Sequence, residues 1–308
     1  MIIKKISLIS ALLFFSISVY CKDIVEEIKI INDVAVSTQN FKWRTLKSEL
    51  PAEENLVFDI YWKIIKVGQA TLEIKGFEEI DGRTVFHLYS QAKSSPFFDN
   101  FFKVRDVNES WMDKESLCSL RYHFDVSEGG WKKQEQADFD HIRKEFTLND
   151  NGTIKKGKIP TFVQDIISAF YYFRTLDLEV GDEYVFDVHS GEHTWPLKTK
   201  VTGKEKVEIK SGTFECLILE PGVREDAGIF RAKGELRVWL TNDKNKMPVM
   251  MKTKTPFGSI VAKLASYNFK MPDEVDVIRK TDKPAEGKKE EIKEKIQGET
   301  EMPNDIKN

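Results

Sequence analysis

The sequence predicts a mainly β protein, an antiparallel barrel-like or strongly curved sheet with one amphipathic helix packed against it. Two observations predict the sheet. Between about residues 51 and 271, apolar and polar side chains alternate along many short segments, and turn residues separate those segments. Alternation with a period of two is typical of a strand that packs one face on a core. A third observation predicts the helix: the apolar spacing changes to a helical one at residues 161–174.

The alternation is clearest in four segments. In each of them we expect every second side chain to lie on the buried face of a strand. The four expected buried sets are Leu56, Phe58, Ile60 and Trp62; Leu120, Tyr122, Phe124 and Val126; Leu236, Val238 and Leu240; and Ile260, Ala262 and Leu264.

Turn residues connect these segments. Asp81-Gly82 and Asn151-Gly152 are dipeptides typical of two-residue hairpins. Residues 128–130, 211–212 and 242–245 mark further reversals. Frequent reversals favour antiparallel pairing, and the lack of regular strand–helix alternation argues against a doubly wound parallel sheet.

One amphipathic helix is predicted after Pro160. Thr161 and Gln164 have the spacing of a capping box, and Arg174 suits the negative end of the helix dipole. The apolar stripe expected on this helix consists of Phe162, Ile166, Ile167, Ala169, Phe170 and Phe173. Such a stripe must be buried, so the helix either covers the sheet or lines a cavity for an apolar ligand.

The beginning of the chain has the layout of a secretory signal. Lys4 and Lys5 precede an apolar stretch, Ile6 to Val19, which is shorter than the roughly 20 residues of a membrane-spanning helix. We expect residues 1–21 to be removed, leaving an exported, periplasmic or envelope-associated chain without a transmembrane span. A retained anchor or a lipid on Cys21 are the alternatives, and Tyr20 fits a lipidation site poorly.

Three further segments complete the expected organisation. Residues 22–50 form an approach segment, residues 51–271 the β domain, and residues 272–308 a charged, disordered tail. A short helix near residues 290–297 and an electrostatic tether to the envelope are alternatives for the tail. The chain has 47 basic and 50 acidic residues, a net charge of −3. Because no basic stripe is visible, a nucleic-acid partner is not expected.

An aromatic cluster is the strongest candidate for a binding site. Four phenylalanines occupy six positions after Pro96, which does not fit strand alternation. They predict a loop or short helical turn inserted into an apolar pocket, where they either close one end of the barrel or contact a lipid or other apolar ligand. The candidate ligand-binding residues are Phe97, Phe98, Phe101, Phe102 and, from the predicted helix, Phe170.

Three other groups of residues do not predict a metal site or a catalytic site. His189 and His193 flank a turn and lack the helical spacing of a zinc protease motif, so we expect no metal and no cofactor. Cys118 and Cys216 have the surroundings of core side chains, although a disulfide remains an alternative. Asp138 and Asp140 share one face of a strand beside His141, a pattern that is also ordinary on a surface. Sequence motifs of serine hydrolases and phosphate-binding loops are missing, so no catalytic residue is predicted.

Several segments resemble a known bacterial family. They are residues 163–172 (VQDIISAFYY), 178–182 (LEVGD), 212–216 (GTFEC), 228–240 (GIFRAKGELRVWL), 248–249 (PV) and 256–260 (PFGSI), with 97–106 (FFDNFFKVRD) in the first half. This pattern is similar to the family known as domain of unknown function 3108, over about residues 54–271. The resemblance implies an exported, envelope-associated β protein and supplies no catalytic mechanism.

Together these observations favour a non-enzymatic envelope protein that binds an apolar small molecule or lipid, or another envelope protein. One alternative is a structural or assembly partner with a filled core. Another is an enzyme that uses carboxylates on wall or sugar substrates.

Overall fold

All strands in the described part of the chain belong to one antiparallel sheet, which confirms the predicted fold class. The structure is a computed structural model that describes residues 41–223, 236–255 and 258–272. The predicted signal and the charged tail from residue 273 lie outside these residues. The strands are β1 (Glu53–Trp62), β2 (Ile65–Ile80), β3 (Arg83–Ser94), β4 (Arg105–Asp113), β5 (Ser119–Glu128), β6 (Trp131–Asp140), β7 (Glu145–Asp150), β8 (Thr153–Lys158), β9 (Glu183–Ser190), β10 (His193–Ile209), β11 (Gly212–Val223), β12 (Leu236–Thr241), β13 (Pro248–Thr255) and β14 (Gly258–Lys270), with helices α1 (Pro96–Asp99) and α2 (Ile166–Phe173).

The sheet is a meander that starts and ends in its middle. Its order is β8-β7-β6-β5-β4-β3-β2-β1-β14-β13-β12-β11-β10-β9, so the first and last strands in sequence are neighbours. The edge strands β8 and β9 do not pair with each other in this order. The curvature of the sheet nevertheless brings the two edges close together. Lys155 in β8 forms a 2.7 Å ion pair with Glu192 in the β9–β10 turn.

The segment before α2 joins the two halves of the curved sheet. The Ser119 amide at the start of β5 donates to Val163 O, and the Gln164 amide donates to Asp187 O in β9. The backbone amide of His189 donates in turn to Gln164 O at 2.7 Å. Because these bonds satisfy backbone groups of both halves, they close the sheet into a barrel-like shape without a continuous strand ladder.

The predicted alternation and turns are largely confirmed. The sets beginning at Leu120 and Ile260 are buried throughout, as are Leu56, Phe58 and Ile60. Asp81-Gly82 and Asn151-Gly152 form the β2–β3 and β7–β8 turns, with positive φ at both residues, as a type I′ hairpin requires. Trp62 was placed wrongly: it is the last residue of β1 and is 37% exposed.

The main core lies between the two halves of the sheet and α2. It contains side chains of β1–β3 and β10–β14, together with Ile167, Tyr171 and Phe173 of the helix. A second cluster, around Tyr122, Phe139 and Leu148, fills the concave face of β5–β7. The predicted helix therefore covers the sheet, and one of its two tyrosines, Tyr171, is fully inaccessible.

The beginning of α2 differs from the prediction. Thr161 and Gln164 do not cap it, and Phe162, which has a φ of 60°, is not helical. The capping residue is Asp165, whose carboxylate accepts from the amides of Ile167 and Ser168, while the Ser168 hydroxyl bonds with the Asp165 backbone. The Ser110 hydroxyl of β4 also donates to the Asp165 carboxylate, at 2.5 Å, and so holds the capping residue in place.

The other end of α2 is held by a buried ion pair. Arg174, at the C-cap, donates from both terminal nitrogens to Glu54 of β1 at 2.6 Å, and it also donates to Asn245 O. The side chains of Arg174 and Glu54 are 0% and 2% exposed to solvent. Arg174 therefore complements the helix dipole as predicted and fixes the helix to the middle of the sheet.

Candidate functional site

Three connections and the start of β14 lie together at one end of the sheet. The Lys63 amide of the β1–β2 turn donates to Ser259 O at the start of β14, and the Ser95 amide between β3 and β4 donates to Val67 O in β2. The Gly129 amide of the β5–β6 turn donates to Lys103 O. These bonds place the start of β14 and the β1–β2, β3–β4 and β5–β6 connections side by side.

The β3–β4 connection contains α1, the short helical turn predicted from the phenylalanine cluster. Ser95 is its N-cap and Pro96 occupies its first turn. Asp99 accepts from both terminal nitrogens of Arg105 and from the Ser94 hydroxyl. Hydrogen bonds from Arg105 and Ser94 hold the pKa of Asp99 below its ordinary value, so this carboxylate is ionised and fully engaged.

The cluster has a buried side and an exposed side. Phe98 and Phe102 pack against the main core, and the Phe102 ring lies so close to Gly129 that a Cβ there would sit 2.9 Å from it. Phe97 and Phe101 point away from the core and are 66% and 72% exposed, with their ring centres 5.5 Å apart. The predicted insertion into an apolar pocket is therefore correct for two of the four rings.

Other large apolar side chains are exposed on the same connections. Ile64 is 91% exposed at the tip of the β1–β2 turn, and Ile65 beside it is 51% exposed. We call this surface the apolar turn end; it consists of Trp62, Ile64, Ile65, Phe97, Phe101 and Trp131. Exposed apolar residues grouped in this way mark an interaction surface more often than isolated ones do.

Exposed lysines surround the apolar turn end. Lys63, Lys93, Lys103 and Lys132 are exposed, and none of them has a carboxylate partner within the described residues. The nearby acidic Asp99 is engaged by Arg105, and Glu128 is buried. The surface thus combines aromatic and aliphatic side chains with unpaired positive charge.

Phe170 lies apart from the other four candidate residues. It is on α2, half-buried, and its ring packs edge-on against Tyr171. The helix runs from Ser110 in the middle of β4 to Glu54 at the start of β1, whereas α1 lies between β3 and β4. The structure thus brings Phe97, Phe98, Phe101 and Phe102 together and leaves Phe170 in the core.

A family profile matches most of the described sheet. It covers residues 57–265, which is more than half of the 308 residues, and its description is "Protein of unknown function (DUF3108)". The chain belongs to this family. None of the curated proteins compared with the chain matches it.

Solved structures similar to the chain have very different sequences. A β-barrel-like protein of domain of unknown function DUF1849 from Brucella abortus has 8% identity and a TM-score of 0.49, over 72% of this chain and 99% of that one. A proposed exported protein with a YmcC-like fold from Bacteroides fragilis has 9% identity and a TM-score of 0.27, over 73% and 98%. A proposed lipoprotein from Parabacteroides distasonis has 6% identity and a TM-score of 0.27, over 74% and 100%.

The two histidines at the β9–β10 turn do not form a site. His189 is buried, with its ring nitrogens at 2.7 Å from Thr194 Oγ1 and 2.9 Å from Gly191 O, and burial lowers its pKa to about 4. Glu192 pairs with Lys155, and His193 is exposed. Across the described ranges, no group of three or more histidine, cysteine, aspartate or glutamate side chains is arranged to hold a metal ion.

The remaining candidate groups are engaged or buried. Asp138 pairs with Arg121 and Asp140 with Arg143, so each carboxylate is engaged by an arginine. Cys118 and Cys216 are buried free thiols, as their apolar surroundings predicted. Burial raises the pKa of each thiol to about 12, which leaves almost no thiolate at neutral pH. The described helices include none that is long and apolar enough to cross a bilayer.

The sequence analysis missed Ile64, Ile65 and Trp131 and assigned Trp62 to the core. A local signal did exist, because residues 62–66 read WKIIK, with three large apolar residues between and beside two lysines at a strand reversal. The neighbourhood of these residues and α1 depends on strand pairing, which the sequence does not show.

Proposed function

We propose that this protein is an exported, non-enzymatic protein of the cell envelope that binds lipid through its apolar turn end. The observation that carries the proposal is the exposure of Phe97, Phe101 and Ile64 on adjacent connections within a ring of unpaired lysines. Aromatic and aliphatic side chains partition into the interface of a bilayer, and lysines beside them attract anionic headgroups. Export rests on the pattern of Lys4, Lys5 and the apolar stretch that follows them.

The surface suits lipid better than the interior does. The core side chains of β1–β3 and α2 are packed against one another and are mostly buried, which supports a site on the surface over one in the interior. The rings of Phe97 and Phe101, in contrast, are largely exposed to solvent within the described part of the chain. A lipid surface would remove them from water.

The first test measures binding to vesicles. The protein is recovered after export and carries Cys21→Ser in every sample to prevent lipidation. It is sedimented with vesicles of phosphatidylglycerol and, separately, with vesicles of phosphatidylcholine. Each buried phenylalanine contributes about 1.5–3 kcal/mol, so Phe97→Ser with Phe101→Ser should weaken partitioning at least about tenfold. The matched control is Ile142→Ser with Val180→Ser, two exposed apolar residues elsewhere on the chain, which should leave partitioning unchanged.

A protein partner is the second candidate for the same surface. The filled interior favours it, because a structural or assembly role needs no cavity. If the unsubstituted protein does not bind vesicles of either composition, or if both double variants bind as it does, the lipid proposal is wrong. An envelope protein then becomes the better candidate occupant of the apolar turn end.

A further inference from the structure

A cavity lies on the outer face of the sheet beside the apolar turn end. Its volume is about 390 Å³, within the range of small-molecule sites. Strands β1 and β14 form its floor, and the β1–β2 and β10–β11 turns form its sides. It is lined by Asp59, Tyr61, Lys63, Ile64, Ile209, Lys210, Val261, Lys263, Leu264 and Ala265.

The β10–β11 hairpin makes this cavity by folding across the outer face. Among the described residues, β11 pairs with β12 from Cys216 to Leu219, so the tip of the β10–β11 hairpin extends beyond the end of β12. The Ser211 hydroxyl at the tip donates to Leu264 O of β14 at 2.8 Å, and Phe214 packs against Tyr267 with ring centres 6.2 Å apart. The wall of the cavity is therefore fixed to β14.

The lining carries unbalanced positive charge. Lys63, Lys210 and Lys263 lack a carboxylate partner within 4 Å among the residues that the structure describes. The single acidic group, Asp59, is already paired with Lys66 at 2.6 Å and accepts from Gln69 at 3.1 Å. Burial alone would raise the pKa of Asp59, but these bonds and the charges of Lys66 and Lys210 hold it below its ordinary value.

The apolar part of the lining leads towards the apolar turn end. Ile64 belongs to both surfaces, because it lines the cavity and is the most exposed large apolar side chain of the β1–β2 turn. A molecule held by the lysines therefore has an apolar surface beside it. Lysine ammonium groups bind phosphate as point charges, and three of them around one space favour a phosphate over a neutral group.

We propose that this cavity binds the phosphate group of an anionic amphiphile, with Lys63, Lys210 and Lys263 around the phosphate and the apolar chain directed along Ile64. This inference rests on the proposed function and adds the class of lipid to it. The phosphate could also be free in solution, so the test uses both sources.

The test is a calorimetric titration with three soluble probes: inorganic phosphate, dihexanoyl phosphatidic acid and dihexanoyl phosphatidylcholine. The phosphatidic acid should bind at least tenfold tighter than the other two. Lys63→Gln with Lys210→Gln and Lys263→Gln should weaken its binding at least tenfold. The matched control, Lys42→Gln with Lys156→Gln and Lys244→Gln, removes three other exposed lysines and should leave the affinity within twofold.

The outcomes separate this inference from the proposed function. The Phe97→Ser, Phe101→Ser variant should lose vesicle binding and retain the affinity for soluble phosphatidic acid. Equal affinities for phosphate and phosphatidic acid would contradict binding of an amphiphile and would identify the cavity as a site for free phosphate. Equal loss in the two lysine variants, or no loss in either, would overturn the cavity as the site.

Discussion

Replacing Arg174 by alanine should lower the free energy of unfolding by roughly 3–5 kcal/mol, because it leaves the buried carboxylate of Glu54 without its positively charged partner. Both side chains of this pair are inaccessible, and Glu54 accepts two hydrogen bonds from Arg174. The substitution also removes the positive group at the C-terminal end of α2 and the bonds to Asn245 O. Urea unfolding followed by circular dichroism measures the loss.

A surface pair provides the matched control for Arg174. Arg121 pairs with Asp138, and their side chains are 36% and 45% exposed, so Arg121→Ala should cost no more than about 1 kcal/mol. The double variant Arg174→Met, Glu54→Leu should regain much of the stability, because it removes both buried charges. If Arg174→Ala does not fold, Arg174→Lys provides a milder loss to measure. A cost for Arg174 no greater than that for Arg121 would contradict the role given to this pair.

Substitution of Gly68 by alanine should be the second most damaging change, with a cost of about 1–3 kcal/mol. A Cβ at this position would lie 2.4 Å from Lys93 O and 3.2 Å from Ser94 Cα, which are backbone atoms of the paired strand β3. Strand β3 must move to accommodate it. The next bond along, from the Ser95 amide to Val67 O, holds the start of α1, so the apolar turn end should be disturbed as well.

Gly130 is the control for Gly68. A Cβ there meets no atom within 4 Å, and its φ lies outside the left-handed region, so Gly130→Ala should change stability by less than about 0.5 kcal/mol. Urea midpoints of the two variants test the difference. Similar midpoints would mean that the close approach of β2 and β3 at Gly68 is not required.

The fold class was predictable because it depends on local patterns. Alternation at Leu120–Val126 and Ile260–Leu264 fixed which side chains are buried, and Asp81-Gly82 and Asn151-Gly152 fixed two turns through their φ preferences. Arg174 at the end of the helix was also predictable from the dipole.

The predictions from the sequence were wrong where contacts between distant segments determine the structure. Asp165 rather than Thr161 caps α2, since Ser110, 55 residues away, bonds to Asp165. Glu54 lies 120 residues from Arg174, so the partner of that arginine could not be read from the sequence. Trp62, the last residue of β1, is 37% exposed, and the alternation does not show where along the strand the buried part ends.

Only the part of the candidate site that depends on local sequence was predicted. The Phe97–Phe102 cluster was visible in the sequence as a break in alternation, and it does form a short helix with two exposed rings. Ile64 and Trp131 are brought near α1 by the bonds from the Ser95 amide to Val67 O and from the Gly129 amide to Lys103 O. The lysine-lined cavity results from the pairing of β1 with β14 and the folding of the β10–β11 hairpin. The sequence does not show which strands pair.

Contact between the apolar turn end and a bilayer is tested most directly by fluorescence quenching with brominated lipids. Tryptophan is introduced as Phe101→Trp or, at the β6–β7 turn, as Ile142→Trp, and the fluorescence of the unsubstituted protein is subtracted. We expect the brominated vesicles to quench the tryptophan at position 101 and not the one at position 142. Equal quenching at both positions, or none at position 101, would contradict the proposed function.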